Sequence, residues 1–220
     1  MAGTVRGRVP VLVVAVALVV FAVVTWQVAV DGALVGVDER VGRHFVRRGW
    51  LAELFADLGA VYVAVPVVVA VAVAVGWWAR RRGALRWWVP GAVAVGMTGL
   101  VPAVVVPLKE LLDRPGTAVT PGTGFYPSGH TATAAVAYGC ATLLVLPWVR
   151  GGGRWVLVGV CSVVNLGVGV GLVRQGYHWP LDVVGSWCLG AVLLTAYAGL
   201  VSRSSRRTSA GTPSRRTGPS

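Results

Sequence analysis

Long apolar runs separated by short polar segments set the pattern of this chain. They cover residues 9–30, 57–79, 87–108, 129–149, 155–173 and 180–201, each close to the ~20 residues that a helix needs to cross a bilayer. Valine dominates many of them and would otherwise suggest strands. Runs of this length do not alternate faces, however, and inside a membrane the backbone must satisfy its own hydrogen bonds. The pattern therefore predicts an all-α bundle of six transmembrane helices, one domain over 1–201, rather than a barrel.

The polar segments differ in kind. In 31–56, Val37, Val41, Phe45, Val46, Leu51, Leu54 and Phe55 recur at roughly helical spacing among Asp38, Glu39, Arg40, Arg43, Arg47 and Arg48. This predicts one or two amphipathic helices on the outer interface, serving either as a lid or lipid-access wall or as a connector that only packs. His44 has no motif around it and is expected at the surface. The stretch 202–220 is rich in Ser, Thr, Pro and Arg and is expected to be a disordered basic tail, able to touch anionic lipid. Arg6 and Arg8 precede the first run in the manner of a signal peptide, but the run is longer than a usual signal core and no small-x-small cleavage site follows. It is expected to be a retained helix.

Composition agrees with a membrane protein: 55% apolar residues, 13% charged and a mean hydropathy of +0.72 fit neither a soluble nor a disordered chain. The net charge of +12 acquires a meaning once the arginines are placed. Arg6, Arg8, Arg80, Arg81, Arg82, Arg86, Arg150, Arg154, Arg203, Arg206, Arg207, Arg215 and Arg216 fall on one side if the spans alternate. By the positive-inside rule that side, with both termini, is cytoplasmic. The chemistry then faces out of a plasma membrane, and the basic charge reflects topology rather than nucleic-acid binding. Cys140, Cys161 and Cys188 lie within the runs and read as small apolar residues. No C-x-x-C, H-E-x-x-H or nucleotide-binding Gly-rich loop occurs.

Every acid falls on the outward side, together with Lys109, Arg114, His130, Arg174 and His178. Lys109 is the only lysine among 20 basic residues, and His130 and His178 are two of 3 histidines. Ser128, after Pro127, can cap the helix that follows and leave the N–H groups of Gly129 and His130 directed at an anion. Pro180 suits a first helical turn, which brings Asp182 within reach of His178. A carboxylate on one imidazole nitrogen fixes the tautomer and leaves the other nitrogen as nucleophile or base.

Taken in order, Lys109, Arg114-Pro115, Pro127-Ser128-Gly129-His130 and His178-x-x-x-Asp182 resemble the motifs of the type 2 phosphatidic acid phosphatase family. The resemblance implies that His178 attacks phosphorus to form a phosphohistidine, that Asp182 orients it and that His130 protonates the leaving oxygen. It also implies that Lys109, Arg114, Ser128 and Gly129 hold the phosphate, with no metal or cofactor required. The chain departs from the family at two points. The family's first motif usually has its Arg-Pro two residues later, where Gly116-Thr117 stands, and its third motif has Ser-Arg where Gly171-Leu172 stands. Arg174 lies nearby, either as a displaced phosphate ligand or as an interfacial residue that snorkels to water.

The expected function is metal-independent hydrolysis of a lipid phosphate monoester or diphosphate, with phosphatidic acid, phosphatidylglycerol phosphate and polyprenyl diphosphate as candidates. The alternatives are a phosphotransferase using the same site and a non-catalytic lipid-phosphate-binding or transport-associated protein.

Overall fold

In a computed structural model, residues 2–210 are described, with side chains from 10 to 204. The helices, in chain order, are α1 (Ala2–Ala29), α2 (Ala33–Phe45), α3 (Trp50–Leu58), α4 (Val61–Arg81), α5 (Val89–Leu112), α6 (Gly129–Val145), α7 (Gly153–Gln175) and α8 (Pro180–Ala210). Among the described residues, 6 helices are long and apolar enough to span a membrane. The expectation of an all-α, six-span bundle holds. Large apolar side chains such as Val11, Leu12, Val19, Val73, Trp155 and Val160 point outward, where lipid replaces water as their solvent.

The central element is α6. In its span 67% of the apolar window is buried, against 17% to 33% in the other five. Its sequence explains the position, because Ala132, Ala134, Ala135, Ala137, Gly139 and Ala141 present almost no side-chain bulk and let neighbouring backbones approach closely. Leu194 of α8 fills the space beside Gly139, and Ala135 packs on Gly190. A core of Val68, Val101, Val136, Cys140 and Leu144 joins α6 to α4 and α5.

The segment between the first two spans forms α2 and α3. α3 lies along α7, with Phe55 against Gly167 and the backbone of Ala52 against Gly171. Its end is tied down where Tyr138 Oη of α6 donates to the Leu58 carbonyl at 2.6 Å. Asp57 therefore belongs to α3, and the second span begins at Val61 after a turn at Gly59 and Ala60. At the far end, α8 runs on to Ala210, so helix continues past residue 202, where a disordered tail was expected to begin. Ser202 and Ser204 turn their hydroxyls back onto the carbonyls of Ala198 and Val201, which removes their demand for water. The rest of the expected tail lies outside the described residues.

Candidate active site

The N-terminus of α6 is built by the segment Tyr126–His130. The Tyr126–Pro127 peptide is cis, and Tyr126 is fully buried, with its hydroxyl 2.8 Å from Thr25 Oγ1 and its ring over Gly185. Burial pushes the Tyr126 phenol up to about 12. Ser128 caps the helix as expected, accepting from Thr131 N at 3.3 Å and from Thr131 Oγ1 at 3.1 Å. Its own backbone is stapled to α8, with Ser128 N donating to the Asp182 carbonyl at 3.2 Å and Ser186 Oγ donating to the Ser128 carbonyl at 2.8 Å. The Ser128 oxygen thus accepts within the helix start, and its O–H remains a donor. The first N–H groups of α6, on Gly129 and His130, have no intrahelical acceptor.

The second half of the site forms where α7 gives way to α8. Gly176, at φ +75°, ends α7 in a left-handed turn that a side chain would strain. Its carbonyl accepts hydrogen bonds from the hydroxyls of Thr117 and Thr120, so the loop after α5 is fastened just before His178. Asp182 then sits at the third position of α8. It reaches back to the N–H of Trp179 at 3.0 Å in the manner of a capping box, and with the same Oδ2 it meets His178 Nδ1 at 3.1 Å. That contact orients the imidazole and leaves Nε2 available.

Arg114 stands behind Asp182. Its Nη1 donates to Asp182 Oδ1 at 2.5 Å and its Nη2 to Asp38 Oδ2 at 2.5 Å. The guanidinium is 4% exposed, and the side chains of Asp38 and Asp182 are 2% and 0% exposed. Burial opposes the charge on Arg114, but Asp182 and Asp38 outweigh it and hold its pKa above the ordinary value. For Asp38, burial outweighs the pull of Arg114, and the carboxyl takes up a proton at higher pH than an exposed aspartate.

Lys109 and His130 meet at the head of a cavity of about 380 Å³, whose walls of Val65, Val68, Val95, Val101 and Pro102 run down into the membrane-spanning part of α4 and α5. Gly129 completes the polar end. Phe125 links the two halves of the site: its ring lies edge-on to His178 at 5.7 Å, and Lys109 Nζ is 6.0 Å from its centre. A larger cavity of about 430 Å³ opens at the opposite end of the bundle. Its lining includes Arg86, Trp87, Trp148 and Tyr197, with no histidine or carboxylate.

These features decide the comparison with known proteins, for a family model described as the PAP2 superfamily matches residues 11–206. The chain belongs to the PAP2 superfamily. Membership supports phosphoric ester hydrolysis as its activity. No curated protein matches it. The fold is similar to the crystal structure of a transmembrane PAP2-type phosphatidylglycerolphosphate phosphatase from Bacillus subtilis. The TM-score is 0.71 and the identity 23%, over 88% of this chain and 96% of that one.

Within the PAP2 pattern, the two departures have structural causes. At Gly116 an added Cβ would collide with the Thr120 carbonyl and the Phe125 ring, so the loop has no room for an arginine. At Gly171 a Cβ would lie 2.6 Å from the Ala52 carbonyl, and Leu172 is 1% exposed in the core between α3, α6 and α7. At the residues expected to hold phosphate, Arg114 directs Nη1 and Nη2 at two carboxylates, and Ser128 Oγ accepts hydrogen bonds at the start of α6. Arg174 is exposed and lines a separate groove with Arg47, Arg48, Trp50 and Phe55. Helical phase is the reason: Gly167, Gly171 and Arg174 follow one another at spacings of four and three on the α7 face that meets α3.

Two site residues escaped the sequence reading. Asp38 stood among the polar residues of a connector, although Val35, Asp38 and Gly42 form the buried stripe of α2. That spacing was the available signal. Phe125 had no comparable signal beyond its place before the Pro-Ser-Gly-His segment.

Proposed function

We propose that the protein hydrolyses a lipid phosphate monoester or diphosphate through a phosphohistidine on His178. The observation that carries this reading is the cavity itself, an apolar groove within the membrane-spanning helices that ends at Lys109, Gly129 and His130, with His178 on the far side of Phe125 from Lys109. A soluble phosphate ester would have no use for its lower part. An acyl or prenyl chain would occupy it while the phosphate reaches the polar head.

In the proposed reaction, His178 Nε2 attacks phosphorus while Asp182 keeps the proton on Nδ1. The P–O bond to the lipid breaks, and His130 gives its proton to the departing oxygen. Lys109 and the N–H groups of Gly129 and His130 stabilise the charge on the equatorial oxygens. His130, now neutral, takes a proton from water as the water attacks the phosphohistidine, which returns His178 and releases inorganic phosphate. The similar fold of a phosphatidylglycerolphosphate phosphatase makes that lipid a candidate alongside phosphatidic acid and polyprenyl diphosphate.

We place the site at the outer face of the plasma membrane. The opposite end carries Arg80, Arg81, Arg82 and Arg86 at and just after the end of α4 and Arg150 and Arg154 around the start of α7, which supports a cytoplasmic assignment for that end.

The test is phosphate release by purified protein from the three lipid classes with EDTA present, with trapping of an acid-labile phosphoryl adduct. Turnover and an adduct that disappears in His178→Ala are expected. A strict requirement for a divalent ion at the protein, or no release from any of these lipids, would overturn the reading. Vanadate, which adopts five-coordinate geometry, is expected to inhibit.

A further inference from the structure

The reaction leaves one buried acid without a task. Asp38 comes from α2, in the segment between the first two spans, yet it lies inside the site cluster. Its Oδ2 accepts from Arg114 Nη2 at 2.5 Å, and its Oδ1 accepts from the backbone N–H of Leu181 at 2.8 Å. Leu181 is the second residue of α8, so a side chain from α2 caps the helix that carries Asp182. Gly42 of α2 packs directly on the Trp179 ring and Pro180, and Trp179 Nε1 donates to the Pro115 carbonyl at 3.1 Å. The connector, the Arg114 loop and the start of α8 thus close on one another.

We infer that Asp38 is a positioning residue for His178, acting through Arg114 and Asp182. The physical reason lies in charge and geometry together. Paired with Asp182 alone, a buried guanidinium would neutralise the carboxylate that must face the imidazole. With Asp38 on its other nitrogen, Arg114 is shared between two carboxylates, and the cluster keeps one net negative charge directed at His178. That charge favours the imidazolium form that arises when Nε2 bonds to phosphorus. The rigid fork of arginine also fixes the separation of the two carboxylates, which a lysine could not do.

The charged groups around His178 are Asp182 on α8, Arg114 on the loop, His130 on α6, Lys109 on α5 beyond Phe125, and Arg43 on α2 across a small cavity. Glu53 of α3, bonded to the hydroxyl of Tyr177, lies next along the chain. Asp38 is separated from His178 by Arg114 and Asp182, so its removal changes the field at the imidazole without removing a direct contact.

The inference rests on the phosphohistidine reading for its kinetic arm and is independent of it for its spectroscopic arm. The chain has 3 histidines, so nitrogen NMR of labelled histidine in nanodiscs resolves His178 once His44 and His130 are substituted in turn. In Asp38→Asn the His178 nitrogen resonances are expected to move from their wild-type positions at a fixed pH, with kcat about tenfold lower and KM within about twofold of wild type. Asp38→Glu is expected to restore the resonances, and Asp31→Asn, at the exposed turn before α2, to change neither quantity.

Should Asp38→Asn fail to insert, Arg114→Lys carries the test. It keeps the charge but loses the fork, so kcat must fall about tenfold with KM kept. Unchanged His178 resonances and kcat in Asp38→Asn, a kcat loss that only follows the amount of inserted protein, or normal kcat in Arg114→Lys would overturn the inference. If wild type releases no phosphate from any lipid while Asp38→Asn still moves the His178 resonances, the proposed function fails and the positioning role stands.

Discussion

Arginine is used in opposite ways at the two ends of this bundle. At the end of α4, Arg80, Arg81 and Arg82 are exposed and lie over tryptophan rings. Arg82 is 3.8 Å from the Trp78 ring and 5.3 Å from that of Trp148, and Arg81 is 4.6 Å from that of Trp77. Such contacts anchor a helix end at the membrane interface through cation–π attraction, water and the helix dipole. At the other end Arg114 meets neither water nor an aromatic face. It is enclosed by Asp38 and Asp182, and its position is set to within a hydrogen bond. The anchoring arginines work as a group, so any one is replaceable; Arg114 works as a single strut.

The difference can be broken most severely at His178. His178→Ala is expected to lower kcat by on the order of 10^4-fold or more in protein that still inserts, whereas Arg82→Ala is expected to leave phosphate release near wild type. Comparable loss in both variants, in an assay normalised to inserted protein, would mean that the chemistry does not reside at the His178 end.

Stability provides the next contrast. Arg114→Ala strands two buried carboxylates and is expected to destabilise the protein by about 3–5 kcal/mol, read as a lowered thermal midpoint in detergent. Arg82→Ala loses a surface cation–π contact worth about 0.5–1 kcal/mol. A small effect at Arg114 would show that water reaches the cluster.

A finer comparison lies within the site end. Lys109→Ala is expected to reduce kcat/KM about a hundredfold, in keeping with the ~2–4 kcal/mol of a transition-state donor, while Arg174→Ala stays within about threefold. A hundredfold loss at Arg174 would bring it back into the site and require α7 to turn on binding substrate. The smallest perturbation tests only which end faces out. A cysteine at Gly122 is expected to react with an impermeant thiol reagent in intact cells, and one at Gly152 is not. The reverse pattern would invert the protein and leave the chemistry in place.

The spans and the two histidines of the candidate site were legible because the signals that encode them are local. An apolar run of bilayer length needs no partner to be recognised. A Pro-Ser step caps the helix it precedes, and an aspartate four residues after a histidine reaches it across one turn. Amphipathic spacing also announced helices in 31–56, and the structure forms α2 and α3 there.

What the sequence could not assign was the work of groups that are distant in the chain. Arg114 is 76 residues from Asp38 and 68 from Asp182, and nothing in a run of letters distinguishes an arginine aimed at a phosphate from one locked between two carboxylates. Arg174 is the converse case. Its closeness to His178 in sequence suggested a shared role, yet the turn at Gly176 sends the chain to one side while the phase of α7 sends Arg174 to the other. By itself the sequence determined how many helices are long and apolar enough to cross the membrane and which histidines the proposed reaction would use. Tertiary packing alone decided which charges face the substrate and which hold the site together, because in a buried cluster a charge takes its role from the partners that enclose it.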